Sequence, residues 1–75
     1  MIAIRKIRDA VIRRNEATFK YGWHDFQIER DHPRSNWYII VTDASGGIAY
    51  DGWWRGSAGK PVGEAIKEAI RGAML

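Results

Sequence analysis

The stretch "NWYIIVTDASGGIAYDGWWR", Asn36 to Arg55, restricts the folds open to this chain more than any other segment. Its first part, "WYIIVTD", is β-branched and aromatic on both faces, the mark of a central strand. "ASGG" follows, with glycines able to take positive φ in a tight reversal. "IAYDGWWR" then reads as a strand antiparallel to the first. Neighbouring side chains of a strand point to opposite faces, so Trp53 and Trp54 cannot share one environment. Trp54, in phase with Ile48 and Tyr50, is expected to pack inward. Trp53, in phase with Asp51 and Arg55, is expected to face outward.

Upstream, "HDFQIERD" alternates Phe26 and Ile28 against Asp25, Gln27 and Glu29, and reads as a further strand. "DHPRSN" is a loop, because Pro33 removes a ladder donor and biases His32 away from helix. Pro61 suits the first position of a helix, on which Val62, Ala65, Ile66, Ala69, Ile70 and Ala73 form one stripe. The opening "MIAIRKIRDAVIRR" also has helical periodicity. At about 100° per residue, Ala3, Ile4, Ile7, Ala10 and Val11 share a face, and Ile12 falls on the polar side between Arg5 and Arg8. "NEAT" ends that pattern, and "FKYG" reads as a turn or short extended piece. The expectation is a single small α+β domain over residues 1–75, in the order α-β-β-β-α. A three-stranded antiparallel sheet would be packed on one face by two helices.

A chain of 75 residues is near the lower limit at which a core suffices without covalent or metal staples. It has no cysteine, which excludes a disulfide framework, a zinc ribbon and a thiol nucleophile. No run approaches the roughly 18 apolar residues of a membrane span, and the charge-broken N-terminus does not read as a secretory signal. A cytoplasmic protein with no membrane association is expected.

The formal charge is +3, unevenly distributed. Residues 1–14 carry Arg5, Lys6, Arg8, Arg13 and Arg14 against Asp9, a net of +4, while the remainder has a net of −1. A polyanion-facing surface should therefore lie at the N-terminus. Arginine predominates there, which suits phosphate contact; the competing reading is an ordinary solvated face.

"GSAGKP" invites a phosphate-loop reading, but Trp54 stands where that motif needs glycine, and Pro61 follows the lysine instead of Ser or Thr. What remains is a helix N-terminus beside Lys60, a generic anion site, against an ordinary strand-to-helix link. "VTDASGG" resembles the first strand of ribonuclease-H-like nucleases, whose metal sites need several carboxylates; Asp43 reads instead as a turn aspartate. His24, Asp25, Asp31 and His32 are the metal-like set, but the histidines flank one strand and so lie at its opposite ends. No metal, no cofactor and no catalytic residue is expected, nor an enzyme.

Three resemblances bear on function. The α-β-β-β-α order, with "GWHDFQIE" and "GKPVGEAIKEAIRGAML", is similar to double-stranded-RNA-binding domains. That likeness implies RNA contact through the first helix, the first hairpin loop and a lysine cluster opening the last helix. Arg5, Arg8, His32 and Arg34 would match the first two regions, and Lys60 stands alone in the third. "NWYIIVTDASGGIAYDGWW" with "GEAIKEAI" resembles the three-strand-plus-helix arm-binding domains of phage integrases and plant AP2 factors. Those read DNA through the sheet, whereas Asp25, Glu29 and Asp51 would repel phosphate here. The opening "MIAIRKIRDAVIRR" and closing "GEAIKEAIRGAML" resemble small accessory proteins of enterobacterial prophages, of the Rac-prophage double-strand-break-reduction type. That resemblance implies a modulator of host nucleic-acid metabolism.

The expected function is non-enzymatic binding of nucleic acid, DNA or RNA, by its phosphate backbone. Arg5, Lys6, Arg8, Arg13, Arg34 and Lys60 are the candidate contacts. The alternative is a phage-type protein-interaction module that engages a host protein through Ile12, Tyr38, Trp53 and Arg55. A homodimer burying Ile12 and the aromatics is a third reading.

Overall fold

A computed structural model describes residues 6–75. The chain forms five strands and then one helix: β1 (Arg8–Ile12), β2 (Glu16–Tyr21), β3 (His24–Glu29), β4 (Trp37–Thr42), β5 (Ile48–Trp54) and α1 (Val62–Gly72). The strands make one sheet in the order β1-β2-β3-β4-β5, each antiparallel to its neighbour.

The α-β-β-β-α expectation, with a three-stranded sheet and two helices, is therefore wrong. "RDAVI" is an edge strand instead of a helix, and "EATFKY" is a full strand where the expectation is the end of a helix and a turn or short extended piece. Two physical causes produced the error. In "EATFKY", Ala17 and Phe19 point inward between the outward Glu16, Thr18 and Lys20, a short period-2 signal. In β1 the register slips between Arg8 and Val11, where Asp9 takes φ 51°. A bulge of this kind breaks strict alternation, leaving an irregular apolar spacing that imitates a helical stripe. Residues 1–5, including Ala3, Ile4 and Arg5 of the expected helix, lie outside the described residues.

One face of the sheet carries the core. β2 contributes Ala17 and Phe19, β3 Phe26 and Ile28, and β4 Trp37, Ile39 and Val41, all buried. Cross-strand pairing brings Phe19 opposite Phe26, with their rings stacked at 4.6 Å between centroids. α1 lies across β2, β3 and β4 and buries Ala65, Ile66, Ala69 and Ile70. Alanine at two of these four positions lets the helix axis approach the sheet. Glu64 in its first turn and Arg71 in its last complement the helix dipole.

The tryptophan pair divides as alternation requires. Trp54 is half-buried against the core, and Trp53 is 58% exposed on the other face. Ile48 does not follow Trp54 inward. The β4–β5 register shifts between Val41 and Thr42, which places Ile48 opposite Thr42 and leaves it exposed.

In such a meander β1, β3 and β5 run the same way, so the segments after them meet at one end of the sheet. A buried arginine ties that end together. Arg30 donates to the Asn15 side chain at 3.0 Å and to the carbonyls of Arg14 (3.2 Å), Pro33 (3.1 Å) and Lys60 (2.8 Å). Its guanidinium carbon sits 4.2 Å from the centroid of the Trp37 ring. Burial, reinforced by Arg14, lowers its pKa from the ordinary arginine value. The Trp37 indole donates to the same Lys60 carbonyl at 2.9 Å, and the Trp37 amide donates to the buried Ser57 hydroxyl at 2.8 Å. Three loops are thereby fixed relative to one another.

Candidate nucleic-acid interface

The positive charge of the N-terminal segment lies along an edge strand. Every residue of β1 is exposed. Lys6 precedes it, Arg8 opens it, and Arg13 and Arg14 follow it, all exposed. Arg8 stands opposite Lys20 of β2, which adds a fifth cation to the same border. A strand of this size spans about 17 Å, so Lys6 and Arg8 mark one end of the track and Arg13 and Arg14 the other. The charges and the Asp9 bulge also discourage edge-to-edge pairing with another sheet.

At the three-loop end, Arg14, Arg34 and the pinned Arg30 line a cavity of about 420 Å³ together with Pro33, Gly59 and Pro61. Arg34 is exposed, and its amide donates to His32 Nδ1 at 3.1 Å. The Lys60 ammonium lies 5.8 Å from the centroid of the Trp54 ring. The Gly-Lys loop spends its own amides internally, with Gly59 N–H bonded to the Pro33 carbonyl and Lys60 N–H to that of Ser57. Those amides cannot cradle a phosphate. The amides of Val62 and Gly63, which a helix leaves without an intrahelical acceptor, lie at this end.

Two ion pairs occur among the described residues, Arg13 with Glu16 at 3.7 Å and Arg71 with Glu68. Of the candidate phosphate contacts that are described, Arg13 alone is therefore matched to a carboxylate. Arg34 meets Arg14 at one end, the Lys60 ammonium lies over the Trp54 ring, Lys6 and Arg8 are at the other end, and Arg5 lies outside the described residues.

The protein-interface candidates do not form one surface. Residues directly paired across antiparallel strands share a face, so the row Glu16, Glu29, Tyr38, Trp53 lies on the sheet side away from α1. The next row on that side includes Gln27, Ile40 and Asp51. Trp53 meets Tyr38 edge-on at 4.8 Å, and the Tyr38 hydroxyl donates to Asp51. That bond, then burial and the charges of Asp51 and Glu29, raises the phenol pKa above its usual value. Ile12 pairs with Ala17 and so belongs to the opposite, helix-bearing face. Arg55 is exposed just beyond β5.

His24 opens β3 and His32 follows it, so the two histidines occupy opposite ends of that strand. Among the described residues no cluster of His, Asp and Glu could hold a metal ion. Asp43 is held in the β4–β5 turn, where it accepts from the Ser45 hydroxyl (2.7 Å) and amide (3.0 Å) and the Gly47 amide (2.8 Å). Among the described residues no helix is long and apolar enough to cross a membrane.

Sequence reasoning overlooked Trp23 as a candidate. It sits with Gly22 in the two-residue turn between β2 and β3, 82% exposed, beside a depression of about 440 Å³ lined by Lys6, Arg8, Gly22 and Trp23. The signal was present: a glycine and one large aromatic between two alternating runs leave that aromatic nowhere to bury itself. No protein-family model matches the chain, and no curated protein or solved structure matches it.

Proposed function

We propose that the protein is a non-enzymatic nucleic-acid-binding module that holds the phosphate backbone along its β1 border. The likeness to prophage accessory proteins suggests the setting, modulation of nucleic-acid metabolism in a bacterial host. The observation that carries the reading is the placement of Lys6, Arg8, Arg13 and Arg14 along an exposed edge that runs toward Arg34. Contact through a basic edge differs from the helix grip implied by the likeness to double-stranded-RNA-binding domains, since residues 8–12 are not helical. It also differs from reading DNA through the sheet face, where Glu16, Glu29 and Asp51 would repel phosphate.

Binding of this kind is electrostatic and weakly sequence-specific, and it weakens as salt rises because counterions are released. If Lys6, Arg8, Arg14 and Arg34 each engage one phosphate, log K against log salt should slope at about −3 on a single strand. Fluorescence anisotropy with labelled oligonucleotides at low salt tests this. The double variant Arg14→Glu, Arg34→Glu should bind at least about 10-fold more weakly, a loss of about 1.4 kcal/mol. Binding no tighter than about millimolar at low salt, or affinity independent of salt, would contradict the reading.

A second reading rests on the edge-on Tyr38–Trp53 pair, because exposed aromatics are frequent interface anchors. Glu29 and Asp51 beside that pair would suit a host protein with a basic surface. Capture of a partner from nuclease-treated bacterial lysate, unchanged by Trp53→Ala, would count against this face.

A further inference from the structure

We propose that Trp23 stacks an unpaired nucleobase while Lys6 and Arg8 take the flanking phosphates, so that the nucleic acid bound is single-stranded. This rests on the nucleic-acid reading above and adds to it the class of substrate.

A buried-core role for Trp23 is excluded by its 82% exposure. The backbone that carries it is nevertheless held. Gly22 takes φ +62° at the first central position of the turn, as a two-residue II′-type hairpin requires, and Tyr21 pairs with His24 directly beneath it. The Arg8 guanidinium donates to the Gly22 carbonyl and so ties the turn to the neighbouring strand. An exposed indole on a tip anchored in this way presents its ring at little conformational cost. A Cβ added at Gly22 would meet nothing within 4 Å, so this side of the turn is open to a ligand.

The chemistry around the ring selects the ligand. Lys6 and Arg8 line the depression with the indole, and Lys20 stands across from Arg8. Asp25 stands opposite Lys20 and Asp9 follows Arg8, the carboxylates at this end of the border. An aromatic platform beside cations is the arrangement on which proteins stack the bases of single strands and track their phosphates. Bases within an intact duplex are stacked on one another and offer no free face to a hairpin tip. The basic border of β1 then continues the phosphate path toward Arg14 and Arg34, which lets one strand engage both ends of the sheet.

The test compares a short oligothymidylate with a blunt duplex of equal length by anisotropy at low salt, using the full chain. Trp23→Ala should weaken oligothymidylate binding about 10-fold, within the range for loss of one stacked base, and should leave duplex affinity unchanged. Trp23→Phe should retain most of the single-strand affinity. Wild-type emission should be quenched by oligothymidylate more strongly than that of Trp23→Phe. Equal single-strand affinity for wild type and Trp23→Ala, with binding still lost in Arg14→Glu, Arg34→Glu, would overturn the stacking site and leave phosphate binding standing. Failure of both nucleic acids to bind wild type would overturn both. Trp23-dependent binding to phosphatidylserine vesicles, with oligothymidylate affinity insensitive to Trp23, would overturn the proposal in favour of a lipid surface.

Discussion

β4 and β1 are both short strands of the same sheet, and they have opposite tasks. β4 has neighbours on both sides and puts Trp37, Ile39 and Val41 into the core without exposed surface. β1 has one neighbour, carries a bulge and buries none of its five residues. Removing apolar area from water contributes roughly 25 cal/mol per Å², so the folding free energy is concentrated around β4 and α1. What β1 contributes is charge in a defined geometry. Substitutions in the two strands should therefore separate stability from binding.

The largest effect should come from Trp37→Ala. It removes a buried indole, its hydrogen bond to the Lys60 carbonyl and the ring beneath Arg30, and should cost about 3–5 kcal/mol in chemical denaturation. A loss below about 1 kcal/mol would show that β4 is not the centre of the core. Gly72→Ala comes next. A Cβ there would overlap the Tyr50 ring, and displacing that ring should cost about 1–3 kcal/mol, against the gain that alanine normally brings to a helix. A stabilised variant would contradict the packing of Tyr50 under the end of α1.

In β1 and the loops beside it, Arg14→Glu with Arg34→Glu should shift stability by no more than about 0.5 kcal/mol, while the proposed oligonucleotide binding should weaken at least about 10-fold. The smallest effect concerns acid. Hydrogen bonds from Ser45, the hydroxyl first, and from the Gly47 amide hold the Asp43 carboxyl below its ordinary pKa. A carboxylate with a depressed folded pKa stabilises the fold above its unfolded pKa, near 3.9, and this contribution is lost as pH falls through the folded value. Asp43→Asn should therefore lower the melting temperature at neutral pH and flatten its decline below about pH 4. An unchanged acid limb would remove Asp43 as a contributor.

The three later strands and the helix were legible in the sequence, and the two N-terminal strands were not, for identifiable causes. The stretches expected as strands around Phe26, Ile39 and Tyr50 are strands, because β-branched and aromatic residues bounded by Pro33 and Gly46–Gly47 leave little choice. The helix after Pro61 follows from its 3.6-residue stripe. β1 misled because its bulge scrambles alternation, and β2 because a six-residue strand gives only three inward positions to read. The charge asymmetry needed no secondary structure to be seen, but its shape did: a basic helix and a basic edge have the same composition. Arg14 gained its place only when three loops were brought together by Arg30, a contact between residues far apart in sequence. Arg30 itself was unreadable as a core residue, since its partners are backbone carbonyls and the Asn15 amide, with no acidic side chain among them.

Amide chemical-shift mapping during a titration with oligothymidylate reads out the binding face residue by residue. Binding along the β1 border predicts shifts concentrated at residues 6–14, at Lys20 to Trp23 and at Arg34, with the Trp23 indole resonance among the largest. Tyr38, Asp51 and Trp53 on the acidic face should stay still. Shifts centred on those three residues, or none anywhere at low salt, would contradict the account.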